Sequence, residues 1–269
     1  MIKLIVSDID GTLVNDNKEI LPEVITAIQA ARQQGIRVVL CSGRPLRGVQ
    51  PYLNQLGLTK EDDYVVTFNG AQILCSGTGK AIAEHCLCPT DVRTILKVIN
   101  PLGVKSHLTT TAADMVTTDR DISKYTVMDA FYTGMPLHYQ DFEHVTTHGI
   151  TKIMLADQPD VLDRVTADLP EEIINRLYTV RSEKWFFEFM NPQATKGNAV
   201  LELASMWGIN SREIMTVGDQ ANDIPMLKAA GIGVAMGNAT QDVKQIADVI
   251  TTTNEEKGLA KAIYQYALK

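Results

Sequence analysis

Residues 4–14 of the chain are LIVSDIDGTLV, an apolar run followed by two aspartates that a single residue separates. The β-prone residues 4–7 predict a short buried strand, so Asp8 and Asp10 follow its carboxyl end. In open α/β sheets, ligands bind just beyond the carboxyl ends of the strands. Two carboxylates held close together need a cation or a shared proton to offset their repulsion. Mg2+, bound by carboxylates and substrate phosphate oxygens, would do this; the alternative interpretation is a simple turn with helix-capping residues.

The size and charge of the chain limit the classes of function it can have. Its 269 residues allow one or two domains with an ample core, and its 45% of hydrophobic residues is ordinary for a globular protein. The net charge of −7 argues against binding to nucleic acid or to an anionic membrane surface. We therefore expect a small-molecule partner whose negative charge is met locally by a few Lys and Arg side chains.

Features that bear on the compartment point to the cytoplasm. The first three residues, MIK, lead straight into the predicted strand, and no apolar run approaches the roughly 20 residues of a membrane helix. The cysteines, which form no Cys-x-x-Cys pair, are predicted to be buried or semi-buried thiols in a reducing compartment. They are Cys41, Cys75, Cys86 and Cys88.

Two separated parts of the chain show the alternating pattern of a parallel α/β sheet. The first predicts strand 4–7, helix 21–32, strand 36–41, helix 49–56 and strand 64–68. The last predicts helix 197–207, strand 214–217, helix 224–230, strand 233–235, helix 243–246, strand 249–250 and helix 259–267. We therefore predict an α/β fold with a Rossmann-like parallel-sheet core made of residues 1–83 and 190–269.

The segment between these parts has a different pattern. Helix-like stretches at 91–100, 122–131 and 159–168 alternate with strand-like stretches at 105–110, 115–118, 150–156 and 185–190. This is typical of an α+β unit, and we predict that residues 84–189 form an inserted domain.

Four short signals lie where predicted core strands end or where a predicted helix begins. They are Asp8-x-Asp10-x-Thr12, Ser42-Gly43-Arg44, Lys196, and Gly218-Asp219 with Asn222-Asp223. Each has an ordinary explanation alone, since a serine at a helix start is usually an N-cap and a lysine there is usually solvated. Together, each at a ligand-binding position of an α/β sheet, they predict a single site.

On these residues the chain resembles the haloacid dehalogenase superfamily of phosphatases, and within it the Cof-type subfamily of bacterial sugar phosphatases. The four signals match the family's four motifs in order, and Ser42 stands where many relatives carry Thr. The segments 67–71 (TFNGA) and 191–192 (NP) also resemble subfamily signatures. The inserted unit has the position and α+β character of a C2B-type cap, which implies a lid joined to the core by two linkers.

The resemblance implies a role for each residue of the site. Asp8 would attack phosphorus and form an aspartyl-phosphate, and with an ordinary pKa near 3.9 it would be ionised at neutral pH. Asp10 would protonate the leaving alcohol and then activate water. The implied Mg2+ site is formed by the carboxylates of Asp8 and Asp219 and the carbonyl of Asp10, with Asp223 in support. The implied phosphate ligands are Ile9, Ser42, Gly43, Lys196 and Asn222.

Two other functions remain open on the sequence. A phosphomutase could share the nucleophile and the cap type, although nothing in the sequence identifies a device for retaining a bisphosphate. A non-catalytic phospho-acceptor or ligand sensor would need no acid/base residue, so Asp10 favours an enzyme that acts on small phosphorylated metabolites, sugar phosphates above all. The oligomeric state is not predicted.

Several other polar residues have ordinary interpretations that we prefer. Arg44 and Arg47 could lean toward a substrate or form surface ion pairs. In the insert, residues 119–121 (DRD) and the hairpin 109–111 (TTT) are candidates for sugar contacts but are typical of solvated turns. The histidines lack metal-ligand spacing and are predicted to lie at the surface or in loops. They are His85, His107, His138, His144 and His148.

Overall fold

The structure is a computed structural model that describes residues 1–268. It divides into two compact units, of which the first joins Met1–Ala83 to Thr195–Lys269 and the second is the insert Glu84–Ala194. The sequence pattern ends the insert at residue 189, whereas the observed insert continues to Ala194. The reason is a turn: the Asn191 side-chain amide donates to the Cys86 carbonyl (2.7 Å), and the Ala194 amide donates to the Asn191 carbonyl (2.8 Å).

The elements follow in this order along the chain. The first segment contains β1 (Leu4–Ser7), α1 (Pro22–Gln33), β2 (Arg37–Cys41), α2 (Leu46–Leu56), β3 (Tyr64–Thr67), β4 (Gln72–Cys75) and β5 (Ala81–Glu84). The insert contains α3 (Pro89–Ile99), β6 (Ser106–Thr110), β7 (Met115–Thr117), α4 (Lys124–Thr133), β8 (Leu137–Tyr139), β9 (Ile150–Ala156), α5 (Pro159–Ala167), α6 (Glu171–Arg176), β10 (Tyr178–Glu183) and β11 (Phe186–Met190). The last segment contains α7 (Lys196–Met206), β12 (Ile214–Gly218), α8 (Ile224–Ala229), β13 (Ile232–Ala235), α9 (Gln241–Ile246), β14 (Val249–Ile250) and α10 (Gly258–Ala262), with a π-helical turn at Ile263–Ala267.

Within residues 1–268, the first unit is built on an eight-stranded sheet in the order β14-β13-β12-β1-β2-β3-β4-β5. Strand β1 is parallel to β12 and β2, with Ser7 opposite Val217 and Leu40. Strand β3 extends the parallel set, and β4 pairs antiparallel with β3. All four residues of β1 are buried, as expected for a parallel sheet that is covered on both faces. The carboxyl ends of β12, β1 and β2 therefore meet at one edge.

The amphipathic pattern of α1 shows why the core helices were predictable. Val24, Ile28 and Ala31, which the spacing places on one face, are all buried. Pro22 occupies the first helical turn, where its missing N–H costs nothing, and Gly35 follows the helix with a φ of 80°. The predicted α/β fold class is confirmed.

Within Glu84–Ala194, the strands form a second sheet in the order β10-β11-β9-β6-β7-β8. Helices α3 and α5 bury Ile95 and Leu162 in a core shared with Ile153 of β9. His107 was predicted to lie at the surface or in a loop, but it is fully buried in β6. Its ring nitrogens lie 3.2 Å from Thr126 Oγ1 and 3.1 Å from Asp129 Oδ2, both on α4. A polar pair therefore anchors α4.

Some sequence predictions missed short or exposed features. Strands β8 and β10 and helix α6 were not predicted; none of the residues in β8 and β10 is buried, so these strands lack the alternation of buried and exposed residues that marks a strand. Cys41 and Cys75 are buried and Cys86 partly so, but Cys88 is exposed, contrary to the prediction. None of the helices in residues 1–268 combines the length and the apolar composition needed to cross a membrane.

Candidate active site

The residues predicted to bind phosphate and metal follow neighbouring strands. Asp8 comes directly after β1, Ser42 after β2 and Asp219 after β12. Because β1 lies between β2 and β12, and all three are parallel, these side chains start from the same edge of the sheet. Lys196 begins α7, whose N-cap is Thr195. The topology therefore brings together the four signals that the sequence carries far apart.

Lys196 is the cation of the site. Its side chain is buried, and Nζ donates to Asp8 Oδ1 at 2.5 Å and to Asp223 Oδ1 at 2.6 Å. Burial alone would lower the pKa of Lys196, but the charges of Asp223 and Asp8 outweigh it and raise the pKa above its ordinary value. Lys196 is therefore an ammonium ion at neutral pH.

Asp8 lies in an environment that disfavours its negative charge. Burial raises the pKa of Asp8 to about 8, Lys196 acts in the opposite direction, and the charges of Asp223 and Asp219 add to the rise. The expectation that Asp8 is ionised at neutral pH because its pKa is ordinary is therefore wrong for the protein without a further cation. One lysine does not balance three carboxylates in a buried site.

Asp8, Asp219 and Asp223 form a buried cluster in which each offers an oxygen within 4.8 Å of the others. Thr12 Oγ1 donates to Asp219 Oδ1 (3.0 Å), and Gln220 Nε2 donates to Asp219 Oδ2 (3.1 Å). Burial nevertheless raises the pKa of Asp219 to about 6. An oxygen-only donor set with excess negative charge fits a hard divalent cation such as Mg2+.

The second carboxylate of the last motif, Asp223, is already engaged at both oxygens. Its Oδ2 accepts from the backbone amides of Asp219 (2.8 Å) and Gln220 (3.0 Å), and its Oδ1 accepts from Lys196. A Cβ at Gly218 would lie 2.5 Å from Asp223 Cβ, so this close approach requires glycine. These contacts fit a supporting role for Asp223 better than direct ligation.

Asp10 is held by two cations. Arg44 donates from Nε to Asp10 Oδ2 (2.8 Å) and from Nη2 to Oδ1 (2.6 Å), and Lys18 Nζ donates to Oδ1 (2.8 Å). Burial raises the pKa of Asp10, but the hydrogen bonds and charges of Arg44 and Lys18 outweigh it and lower the pKa below 3.8. Asp10 is therefore a carboxylate here, and Arg44 is its partner rather than a surface residue.

Asn69 connects the loop after β2 to the helical turn after β12, a role that the sequence did not predict. Asn69 donates from its backbone amide to the Ser42 carbonyl (2.9 Å), and its Oδ1 accepts from Asn222 Nδ2 (3.0 Å). Ser42 is buried, and its Oγ accepts from the Arg44 amide (3.2 Å). Asn69 lies in segment 67–71, which the sequence marked as resembling a subfamily signature without indicating these contacts.

The remaining candidates lie elsewhere. Ile9 is fully buried between Asp8 and Asp10, and Arg47 is exposed on α2. In the insert, the Arg120 side chain is 84% exposed and its guanidinium pairs with Tyr139 and Asp141. The Thr110 hydroxyl accepts from the Asp114 amide (3.1 Å), as expected for a turn.

Comparison with known proteins gives full-length matches. The family model described as haloacid dehalogenase-like hydrolase matches residues 5–263. The Bacillus subtilis (strain 168) protein named "Putative phosphatase YxeH" is 39% identical over 269 residues, 100% of this chain and 99% of that protein. The 5-amino-6-(5-phospho-D-ribitylamino)uracil phosphatase YcsE of the same organism is 32% identical, covering 99% of this chain and 96% of that protein. A solved haloacid dehalogenase-like hydrolase from Bacteroides thetaiotaomicron is 32% identical, with a TM-score of 0.85 over 98% of this chain and 99% of that one.

Proposed function

This chain belongs to the haloacid dehalogenase-like hydrolase family, and on that premise we propose that it is a Mg2+-dependent phosphatase of small phosphorylated metabolites. The observation that carries the proposal is the contact of Lys196 with Asp8 and Asp223 in a buried carboxylate cluster. The cluster lies where the parallel strands β1 and β12 end, which is the ligand-binding edge of such sheets.

Asp8 is the proposed nucleophile. One of its carboxylate oxygens attacks phosphorus, and the bond from phosphorus to the leaving-group oxygen breaks. The products of this step are an aspartyl-phosphate and an alcohol, which takes its proton from Asp10. Water then attacks the phosphorus and gives a proton back to Asp10, so that inorganic phosphate leaves and Asp8 is restored.

This chemistry places a demand on the ion pairs around Asp10. A general acid must carry a proton when the leaving group departs, yet Arg44 and Lys18 hold Asp10 as a carboxylate. The acid step therefore requires Asp10 to leave these partners. Lys18 is exposed, so its contact is the easier of the two to break.

Charge neutralisation is the remaining requirement, since phosphoryl transfer depends mainly on positioning and electrostatics. Lys196, the Ser42 hydroxyl, the Asn222 amide and the backbone amides of Ile9 and Gly43 are the proposed donors to the phosphate oxygens. When bound by Asp8, Asp219 and the Asp10 carbonyl, with Asp223 in support, Mg2+ would supply positive charge against the phosphate and the carboxylates.

For the substrate we propose sugar phosphates or related phosphorylated polyols. The relative YcsE is named for a phosphate on a ribityl chain, and it matches this chain over nearly its full length. We further propose that the insert, Glu84–Ala194, is a C2B-type cap that selects the leaving group and excludes water. Its α+β sheet and its position between Ser42 and Lys196 support this assignment.

The test is phosphate release from a panel of sugar phosphates, with and without Mg2+, by the natural protein and by Asp8→Asn. We expect turnover that needs Mg2+ and that Asp8→Asn abolishes. The control is Asp62→Asn, which changes an exposed aspartate between α2 and β3 and should keep full activity. Mass spectrometry after acid quench should find a phosphoryl group on the Asp8 peptide. Conversion of a hexose 1-phosphate to its isomer would instead indicate a phosphomutase. Stoichiometric phosphorylation without turnover would indicate an acceptor.

A further inference from the structure

The turn that joins β3 to β4 has an unusual backbone. Phe68, Asn69 and Gly70 have φ values of 49°, 58° and 101°, so three successive residues lie in the left-handed region. Asparagine tolerates this conformation, but a phenylalanine there is rare. Such a backbone persists where the surroundings stabilise it, and it is commonly found at functional sites.

Backbone hydrogen bonds tie this turn to the loop after β2. The Asn69 amide donates to the Ser42 carbonyl (2.9 Å), and the Phe68 amide donates to the Arg44 carbonyl (3.2 Å). The loop is thus bound on both sides of Gly43, whose amide is one of the proposed phosphate donors. The position of the Gly43 amide therefore depends on the conformation of the turn.

The Asn69 side chain connects the same loop to the last motif. Its Oδ1 accepts from Asn222 Nδ2 at 3.0 Å, and its amide packs so closely on Gly43 that an added Cβ there would lie 3.2 Å from Oδ1. The next residue, Gly70, packs even more closely on the backbone of Thr195, the N-cap that precedes Lys196. One turn therefore touches three segments that supply proposed phosphate ligands.

The bond from Asn222 to Asn69 also decides which atom Asn222 offers to an anion. An asparagine amide has a nitrogen with two N–H donors at one position and an oxygen acceptor at the other. With one N–H given to Asn69, the nitrogen and its second N–H stay on that side. Without an acceptor at residue 69, the amide can rotate and present its oxygen, which a phosphate repels.

We propose that Asn69 is a positioning residue of the phosphate site, which orients the Asn222 amide and sets its separation from the Ser42–Gly43 loop. The proposal rests on the proposed function, because it assigns a task within that site. Asn69 acts through Asn222 and the loop and takes no part in bond making. Small displacements of positioning groups have large effects on phosphoryl transfer, because little else lowers the barrier.

The test is a double-mutant cycle with orthovanadate, a phosphate analogue, as the probe of the site. Asn69→Gly removes the side chain but keeps the left-handed backbone accessible, and Asn222→Ala removes its partner. We expect each variant to raise the inhibition constant for orthovanadate by about 10- to 100-fold, the range for a lost hydrogen bond to a charged group. Asn69→Gly keeps the backbone bonds to the loop and loses the side-chain contact with Asn222, so the double variant should be no worse than Asn222→Ala alone.

Controls separate positioning from general damage. Ala113→Gly changes another left-handed residue, with a φ of 62°, in the insert and should leave orthovanadate inhibition unchanged. Asn69→Asp keeps an acceptor for Asn222, so adding Asn222→Ala should cost as much in that background as in the natural protein. Independent, additive losses in the cycle of Asn69→Gly with Asn222→Ala, or an Asn222→Ala effect absent from the Asn69→Asp background, would overturn the proposal. A natural protein that neither releases phosphate nor binds orthovanadate would instead refute the proposed function.

Discussion

At the residue scale, the charge of Lys196 does not balance the charges of the carboxylates around it. A single buried ammonium faces Asp8, Asp219 and Asp223, and the pKa values of Asp8 and Asp219 stay raised. A carboxyl whose folded pKa exceeds its unfolded pKa binds its proton more tightly in the native state. Between those two pKa values, stability therefore falls as pH rises.

The first prediction follows for Asp8, whose pKa rises from 3.8 to about 8. Without metal, the unfolding temperature of the natural protein should decline between about pH 4 and pH 8. Asp8→Asn removes this titration, so its decline should be shallower, and at pH 8 it should unfold at a temperature several degrees higher than the natural protein does. Calorimetry in chelator measures both. Equal slopes for the two proteins would contradict the raised pKa.

A second prediction concerns Asp10 as the proposed acid. Asp10→Asn should slow the hydrolysis of an alkyl phosphate by about 100- to 10,000-fold, the range for a lost general acid/base. With p-nitrophenyl phosphate the loss should be smaller, because that leaving group departs without needing a proton. Steady-state rates on the two ester types provide the comparison. An equal loss on both esters would assign Asp10 a structural role.

At the scale of elements, the sequence predicted most helices and core strands, but it did not predict which side chains of different elements contact each other. Helix α1 was predictable because Val24, Ile28 and Ala31 repeat at helical spacing. The buried strands gave the sheet edge, and with it Asp8, Ser42 and Asp219. The pairing of Arg44 with Asp10 and of Asn69 with Asn222 joins residues far apart in the chain, and no local pattern encodes it.

A third prediction concerns helix α4, which contacts the insert sheet through Asp129 and His107. Burial raises the pKa of Asp129, but the hydrogen bond from His107 and the charges of Lys152 and His107 lower it below 3.8. A carboxyl with a depressed pKa stabilises the fold above its unfolded pKa and loses that contribution as pH falls below it. As the pH falls from 5 to 3, the unfolding temperature of the natural protein should therefore decrease more than that of the Asp129→Asn variant.

The control for α4 is Asp121→Asn, which changes a side chain that is 94% exposed. Exposed ion pairs contribute little to stability, so this variant should follow the acid dependence of the natural protein. A natural protein and an Asp129→Asn variant with parallel acid profiles would show that the Asp129–His107 contact does not hold α4.

At the scale of the whole molecule, the residues proposed for the chemistry all belong to one of the two units, and the proposed selection of substrate is assigned to the other. Every residue proposed to bind phosphate or metal lies in Met1–Ala83 or Thr195–Lys269, while Glu84–Ala194 is a separate sheet inserted between Ser42 and Lys196. The alternating pattern of the flanks and the α+β pattern of the insert predicted this division. The carboxyl-side boundary was placed too early, because the Asn191 bond to Cys86 is a contact across the insert.

The last prediction tests whether the insert selects the leaving group. Arg120 is exposed and paired with Asp141, and Thr110 supports the turn through Asp114, so either can change without disturbing the buried core. Arg120→Ala and Thr110→Ala, made separately, should raise KM unevenly across a sugar-phosphate panel. The kcat for p-nitrophenyl phosphate should stay within about twofold of the natural value, since the Asp8 cluster is unchanged.

Uneven effects across the panel are the expected sign of leaving-group selection, because lost leaving-group contacts differ between sugars whereas lost phosphate contacts do not. Arg164→Ala, an exposed arginine on α5, serves as the matched control and should leave the kcat/KM profile unchanged. Ser42→Ala, by contrast, removes a proposed phosphate donor and should lower kcat/KM for all substrates by a similar factor. If Arg120→Ala and Thr110→Ala instead keep the natural kcat/KM profile, these two residues do not contact the leaving group. Substrate selection would then depend on other residues of the insert or of the core.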